Sequence, residues 1–138
     1  MKMTRSEARE KVFQIIFQLE FYDDFSERYP FMMEEMGLTG TEGEDYAART
    51  ISGILDNLEE IDRIISENLR SWSLERLPKQ TRAILRLGVY ELCFAKDIPP
   101  LPAIDEAVKL AGTYCDEKDI GFVNGVLNNL YHKKKEEE

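Results

Sequence analysis

Metal-binding and nucleophilic side chains are scarce in this sequence. Its two cysteines, Cys93 and Cys115, stand far apart in no ligand spacing, and its one histidine, His132, lies close to the last residues. That poverty excludes a structural zinc site and leaves two reduced thiols as the expected state. A Gly-rich phosphate loop is missing, and neither cysteine has a histidine in a recognisable context, so no catalytic residue, metal or cofactor is expected. No apolar run reaches the length of about 18 residues that a membrane-spanning helix needs. The opening MKMTRSEAREK is too charged for a secretory signal, which gives a cytoplasmic expectation. Alternating runs of Val, Ile and Thr are also absent, which removes the sheet classes and leaves an all-α chain of about seven helices.

Net positive charge is lacking too. The formal total is −9, whereas binding to a phosphate backbone relies on Lys and Arg. The distribution is uneven, however. Segment 20–48 holds nine acids against the single base Arg28, while segments 1–11 and 73–97 are each locally basic. An acidic lobe and two basic patches are hidden in one acidic total.

What is present is helical periodicity. Thr4-Arg5-Ser6-Glu7 is a capping-box pattern, and the helix it opens presents Ala8, Val12, Ile15, Ile16 and Leu19 inward. Lys2, Arg5 and Arg9 form a strip beside that face, at a helix start where the macrodipole disfavours cations. Pro30 is expected in the first turn of a short core-facing helix through Phe31, Met32 and Met36, with Gly37, Gly40 and Gly43 marking a loop. From Glu44 to Trp72 the positions Ile51, Ile54, Leu58, Ile61, Ile65 and Trp72 alternate by threes and fours. Asn57 near the middle predicts a break there, joining two helices at a subdomain boundary. The expected organisation is two packed helical subdomains, about 1–57 and 58–132, with a solvated charged tail at 133–138.

The segment from Thr81 to Ala95 is apolar on most azimuths and therefore must be wrapped by other helices. Its polar strip is Lys79, Arg82, Arg86 and Tyr90, a candidate for partner contact or for ion pairs with the acidic lobe. Glu91 stands alone on the apolar side, where burial requires an arginine or free backbone N–H groups to compensate it. The stretch Pro99-Pro100-Leu101-Pro102 is expected to be non-helical. A helix over 103–114 follows, then a last helix capped by Asp119, in which Gly125 predicts a close backbone approach.

The segment AILRLGVYEL at 83–92, followed by AIDEAVKLA at 103–111 and FVNGVL at 122–127, resembles the bacterial transcription antitermination factor NusB family, and the resemblance spans essentially the whole chain. It implies an all-helical fold of two subdomains and a non-enzymatic RNA-binding adaptor. Such an adaptor pairs with NusE, a small-ribosomal-subunit protein, and binds boxA RNA within the RNA polymerase antitermination complex and in ribosomal-RNA transcription. On this resemblance Lys2, Arg5 and Arg9 contact phosphates, while Tyr114, Lys118 and Phe122 supply stacking rings and a further cation, as single-stranded RNA requires. By periodicity alone Phe122 reads first as a core position. Phe17, Glu75, Thr81 and Arg82 form the implied protein-contact set, with Thr81 where the family commonly has an acid and Phe17 where it often has tyrosine. The arginine-rich start is thin, with Ser6 and Glu7 between the arginines. Two other readings stand beside this one: a protein-binding scaffold with little RNA affinity, and a stand-alone relative of the NusB-like domain fused to RNA methyltransferases.

Overall fold

A computed structural model describes residues 2–70 and 73–137, and among them are seven α-helices, two short 3-10 turns and no β-strand. Trp72, the last position of the middle periodic run, lies outside the described residues. The chain divides into two compact units, residues 1–56 and 57–138.

In the first unit, α1 spans Arg5–Phe17, α2 Phe25–Glu35 and α3 Glu44–Asp56, with a 3-10 turn at Gln18–Phe21. The capping box forms: the Glu7 backbone N–H donates to Thr4 Oγ1 at 3.0 Å, and the Thr4 N–H donates to Glu7 Oε1 at 3.1 Å. Hydrogen bonds to the carboxylate from the Thr4 backbone N–H and from the Thr4 side chain hold the Glu7 carboxyl below its ordinary pKa. Val12, Ile15 and Ile16 are fully buried, each worth roughly 1.5–3 kcal/mol relative to exposure. α1 and α3 meet closely at Gly43, where an added Cβ would lie 2.8 Å from Ala8 Cβ and 2.9 Å from Met3 Sδ.

α2 begins earlier than the sequence suggested. Its N-cap is Asp24, and Pro30 sits inside the helix rather than in its first turn. The proline costs one internal hydrogen bond there. Ion pairing of Asp24 with Arg28 at 2.6 Å supports the first turn and lowers the Asp24 pKa. At the far end Gly37 adopts φ 76° and the Leu38 N–H donates to the Met33 carbonyl at 2.9 Å, a Schellman closure that only a left-handed residue permits. Lys11 Nζ donates to the Met36 carbonyl at 2.8 Å, adding a cation at the negative end of α2.

α3 stops at Asp56 and α4 runs Leu58–Glu67, so the long periodic run is broken at Asn57 as predicted. The second unit continues with a 3-10 turn at Leu74–Arg76, then α5 Lys79–Cys93, α6 Pro100–Tyr114 and α7 Glu117–Glu137. Eleven of the fifteen α5 residues are buried, and α4, α6 and α7 all pack on it. The wrapped helix is thus the centre of this unit. At Gly88 an added Cβ would lie 2.9 Å from Leu127 Cδ1, so the α5–α7 approach depends on that glycine. Gly125, expected to mark such an approach, has nothing within 4 Å of a would-be Cβ.

Three boundaries differ from the sequence expectation. Pro99 is the N-cap of α6, and Pro100, Leu101 and Pro102 form its first turn rather than a non-helical stretch. The first N–H groups of a helix have no intrahelical partner, so proline forfeits nothing there, and its fixed φ suits the position. α7 starts at Glu117, before Asp119, and remains helical through the charged residues to Glu137. Those lysines are not a loose tail: Lys134 Nζ donates to the Leu92 carbonyl at 2.7 Å, satisfying an orphan group at the end of α5.

Candidate nucleic-acid interface

At the N-terminal end of α1, Lys2 and Arg5 are exposed and Arg9 is only 5% exposed. The Arg5 guanidinium lies 4.4 Å from the Tyr46 ring centroid and that of Arg9 lies 5.5 Å away. Tyr46, buried on α3, is therefore a shared platform for both arginines, an arrangement stabilised by the ring quadrupole. The consequence corrects the expectation for Arg9. Its burial fits it to brace Tyr46 and hold the Arg5 platform, while Lys2 and Arg5 carry the charge that solvent can reach.

The second cluster lies within residues 57–138. Tyr114 ends α6, half-buried; Lys118 is exposed in the first turn of α7; and Phe122, one helical turn later, is half-buried. Its periodicity left Phe122 open as a core residue, but its ring lines a surface groove of about 360 Å³ together with Lys118, Asp119, Arg76, Leu77 and Pro78. A ring wall, two exposed cations and an apolar floor converge here. Bases can stack on such a wall while the cations hold phosphate. Asp119 is the one anion of the lining and its position at the α7 start suits the helix dipole.

The implied protein-contact residues do not share one environment. Phe17 is half-buried at the end of α1 in an aromatic ladder, 6.4 Å from the Phe13 centroid and 5.5 Å from Phe21. Glu75 is exposed on the 3-10 turn before α5. Thr81 is fully buried and Arg82 is 9% exposed, so neither presents a surface for contact. The Thr81 hydroxyl faces Cys115 Sγ at 3.5 Å and Arg82 Nη2 donates to the Leu77 carbonyl at 3.3 Å. Arg82 was expected outward because helical spacing puts it on the polar strip, and Thr81 was implied only by the family resemblance. Within the strip Arg82 and Arg86 are buried, whereas Lys79 is exposed and Tyr90 half-buried. Arg86, on the same strip, makes a two-pronged bond to Asp62 of α4, with Nε and Nη2 each at 2.9 Å from a carboxylate oxygen. Glu91 is 1% exposed, buried on the apolar face of α5, and has an interaction within the protein. Burial raises the pKa of both Cys93 and Cys115, which keeps the thiols protonated at neutral pH. Among the described residues no group of three or more His, Cys, Asp or Glu side chains could hold a metal ion, and no helix is long and apolar enough to cross a membrane.

Residues 6–132 match the model of the NusB family. The chain belongs to that family. It is 41% identical to the transcription antitermination protein NusB of Bacillus licheniformis, over 93% of this chain and 96% of the relative. It is 37% identical to the protein of the same name from Listeria monocytogenes, over 96% of this chain and all of the relative. The fold matches T. maritima NusB with a TM-score of 0.85 at 39% identity, each chain covered completely. A chain in the crystal structure of antitermination factors NusB and NusE in complex with dsRNA matches with a TM-score of 0.83 at 33% identity, covering 95% of this chain and 99% of that one.

Within this NusB-family chain, sequence reasoning missed two contributors. Arg76 was counted only as charge in the 73–97 segment, although the turn it closes places it on the groove with Lys118 and Phe122. Tyr46 fell in the acidic stretch, and its spacing marks it as an inward residue of α3 with no sign of the arginines stacked on it. Only the packing of α1 against α3 brings them together.

Proposed function

We propose that this chain is an RNA-binding adaptor of transcription antitermination and ribosomal-RNA transcription, and that it holds boxA-type single-stranded RNA together with NusE. The observation that carries the reading is the groove that Phe122 lines together with the cations Lys118 and Arg76. Stacking on one ring and phosphate contact through two cations is the chemistry single-stranded RNA needs and is tolerant of an acidic total charge elsewhere. Tyr114, at the end of the helix just before Lys118, belongs to the same region. Lys2 and Arg5 add a second, electrostatic contact on the other unit. Phe17 and Glu75 are the implied protein-contact residues that still reach the surface, and they are assigned to NusE. The arginine-rich start is thin and Arg9 within it is buried, so affinity for RNA alone is low and the protein partner supplies the rest.

Titration of boxA-type RNA with and without NusE at two salt concentrations tests this. Tight binding only with NusE, weakening as salt rises, supports it, with each phosphate contact contributing about 0.7 to the slope of log K against log salt. RNA that binds under neither condition while NusE does bind leaves a protein-binding scaffold and refutes the adaptor.

A further inference from the structure

We propose that the RNA does not end at Phe122 but continues along α7 through a second groove, which binds the next nucleotides of the same strand; the inference rests on the function proposed above. The groove measures about 470 Å³ and is lined by Asn68, Arg70, Phe122, Gly125 and Asn129 among others. Phe122 also lines the first groove, so the two grooves share this residue. Lys118, Phe122, Gly125, Asn129 and Lys133 follow a three- and four-residue spacing, which keeps them on one face of the helix. From Lys118 to Lys133 that face runs about 22 Å at the helical rise, long enough for several nucleotides.

The chemistry along the face suits a polyanion with flat bases. Arg70 is exposed on one edge and makes no ion pair among the described residues. Lys133, exposed on α7, donates from Nζ to Asn68 Oδ1 at 3.1 Å, and Asn129 Nδ2 donates to the same oxygen at 3.1 Å. This places the Asn129 amide at the floor with a carbonyl oxygen able to accept from a base amino group. Gly121 and Gly125 are exposed within the helix, and a Cβ on either would meet nothing within 4 Å. Glycine weakens a helix interior relative to alanine, and no neighbour in the unit requires it at these two positions. A flat floor is instead what a stacked base or a close backbone would need, and the cations Arg70 and Lys133 beside it select an anionic strand over an apolar peptide.

Anisotropy titrations of the full chain bound to NusE test this, using a short boxA-type RNA and two versions lengthened by a few nucleotides at the 5′ or the 3′ end. One extension is expected to tighten binding about ten-fold, the size of one charge-assisted hydrogen bond from Arg70 to a phosphate. Arg70→Ala and Gly125→Leu are expected to abolish that gain while leaving the short RNA's affinity unchanged; leucine favours helix, so Gly125→Leu also keeps the fold intact. The inference alone is overturned if neither extension tightens binding, if the gain survives both variants, or if Gly125→Leu weakens NusE binding with the RNA gain untouched, which would assign the groove to protein. A short RNA that fails to bind, or that binds Lys118→Ala as tightly as the unmodified chain, refutes the underlying function as well.

Discussion

Replacing Gly88 by alanine would place a methyl group 2.9 Å from Leu127 Cδ1, 3.1 Å from Cδ2 and 3.6 Å from Cγ. Carbon atoms pack best at roughly 3.5–4.0 Å, so two of the three contacts are overlaps. Leu127 is fully buried, so any shift of its side chain must be taken up by the core around it. Alanine improves helix propensity by about 1 kcal/mol, while overpacking a filled core costs about 1–3 kcal/mol. Overlap outweighs propensity, with an expected net loss of about 1 kcal/mol. Gly125→Ala on α7 offers the matched control, because a Cβ there meets nothing within 4 Å; it keeps the propensity gain of about 1 kcal/mol and suffers no clash. At about 2.1 cal/mol/K of unfolding entropy per residue, 1 kcal/mol moves Tm by roughly 3–4 °C in a chain of this length. Thermal melts followed by circular dichroism should therefore show Gly88→Ala below the unmodified protein and Gly125→Ala above it. In Gly88→Ala/Leu127→Ala the new methyl should recover part of the cavity cost of Leu127→Ala, giving non-additivity of about 1 kcal/mol. A Gly88→Ala melt at or above the unmodified protein, with additive double-mutant energetics, would refute the close α5–α7 approach.

Arg86→Ala leaves Asp62 without its two bonds from the guanidinium; the Asp62 side chain keeps 26% exposure, so urea unfolding should show a loss of about 2–4 kcal/mol, somewhat below a fully buried pair, and Arg86→Met/Asp62→Leu should lose much less. Gly43→Ala forces a Cβ to 2.8 Å from Ala8 Cβ and should destabilise the first unit by about 1–3 kcal/mol, read as lost hydrogen-exchange protection in α1 and α3. Thr4→Ala removes the acceptor for the Glu7 N–H and should cost about 1 kcal/mol. The Glu7 carboxyl is held below its ordinary value of 4.5, so its contribution is fully present above that pH and is lost as pH falls through the lower, folded value; amide exchange at the start of α1 should quicken on acidification in the unmodified protein and not in Glu7→Gln.

Where local chemistry decides an element, the sequence was sufficient. The Thr4–Glu7 box, the break at Asn57 and the wrapped character of α5 each follow from a few neighbouring residues, and each is present. Proline misled in both directions: Pro30 lies within α2 and Pro100 and Pro102 begin α6, because position within a helix, not residue type, sets the cost. The polar strip of α5 could not be resolved from spacing. Arg82 and Arg86 look like a solvated edge on a helical wheel, and only the arrival of the Leu77 carbonyl and of Asp62 turns that edge into interior. Gly88 and Gly125 illustrate the same limit, since both are glycines within helices and only the neighbour's position separates an obligatory contact from an open face. At the candidate site, the identities of Lys118 and Phe122 were legible, whereas Arg76 and the Tyr46 platform depend on contacts between elements distant in sequence.

The role of Phe122 as a stacking wall is the claim on which the proposed function turns. Calorimetric titration of boxA-type RNA into the NusE-bound chain carrying Phe122→Leu tests it most directly, because leucine preserves the apolar packing of α7 and removes only the ring. The expected result is a loss of RNA affinity of about 1–3 kcal/mol with NusE affinity and Tm unchanged. An RNA affinity equal to that of the unmodified protein would contradict the account.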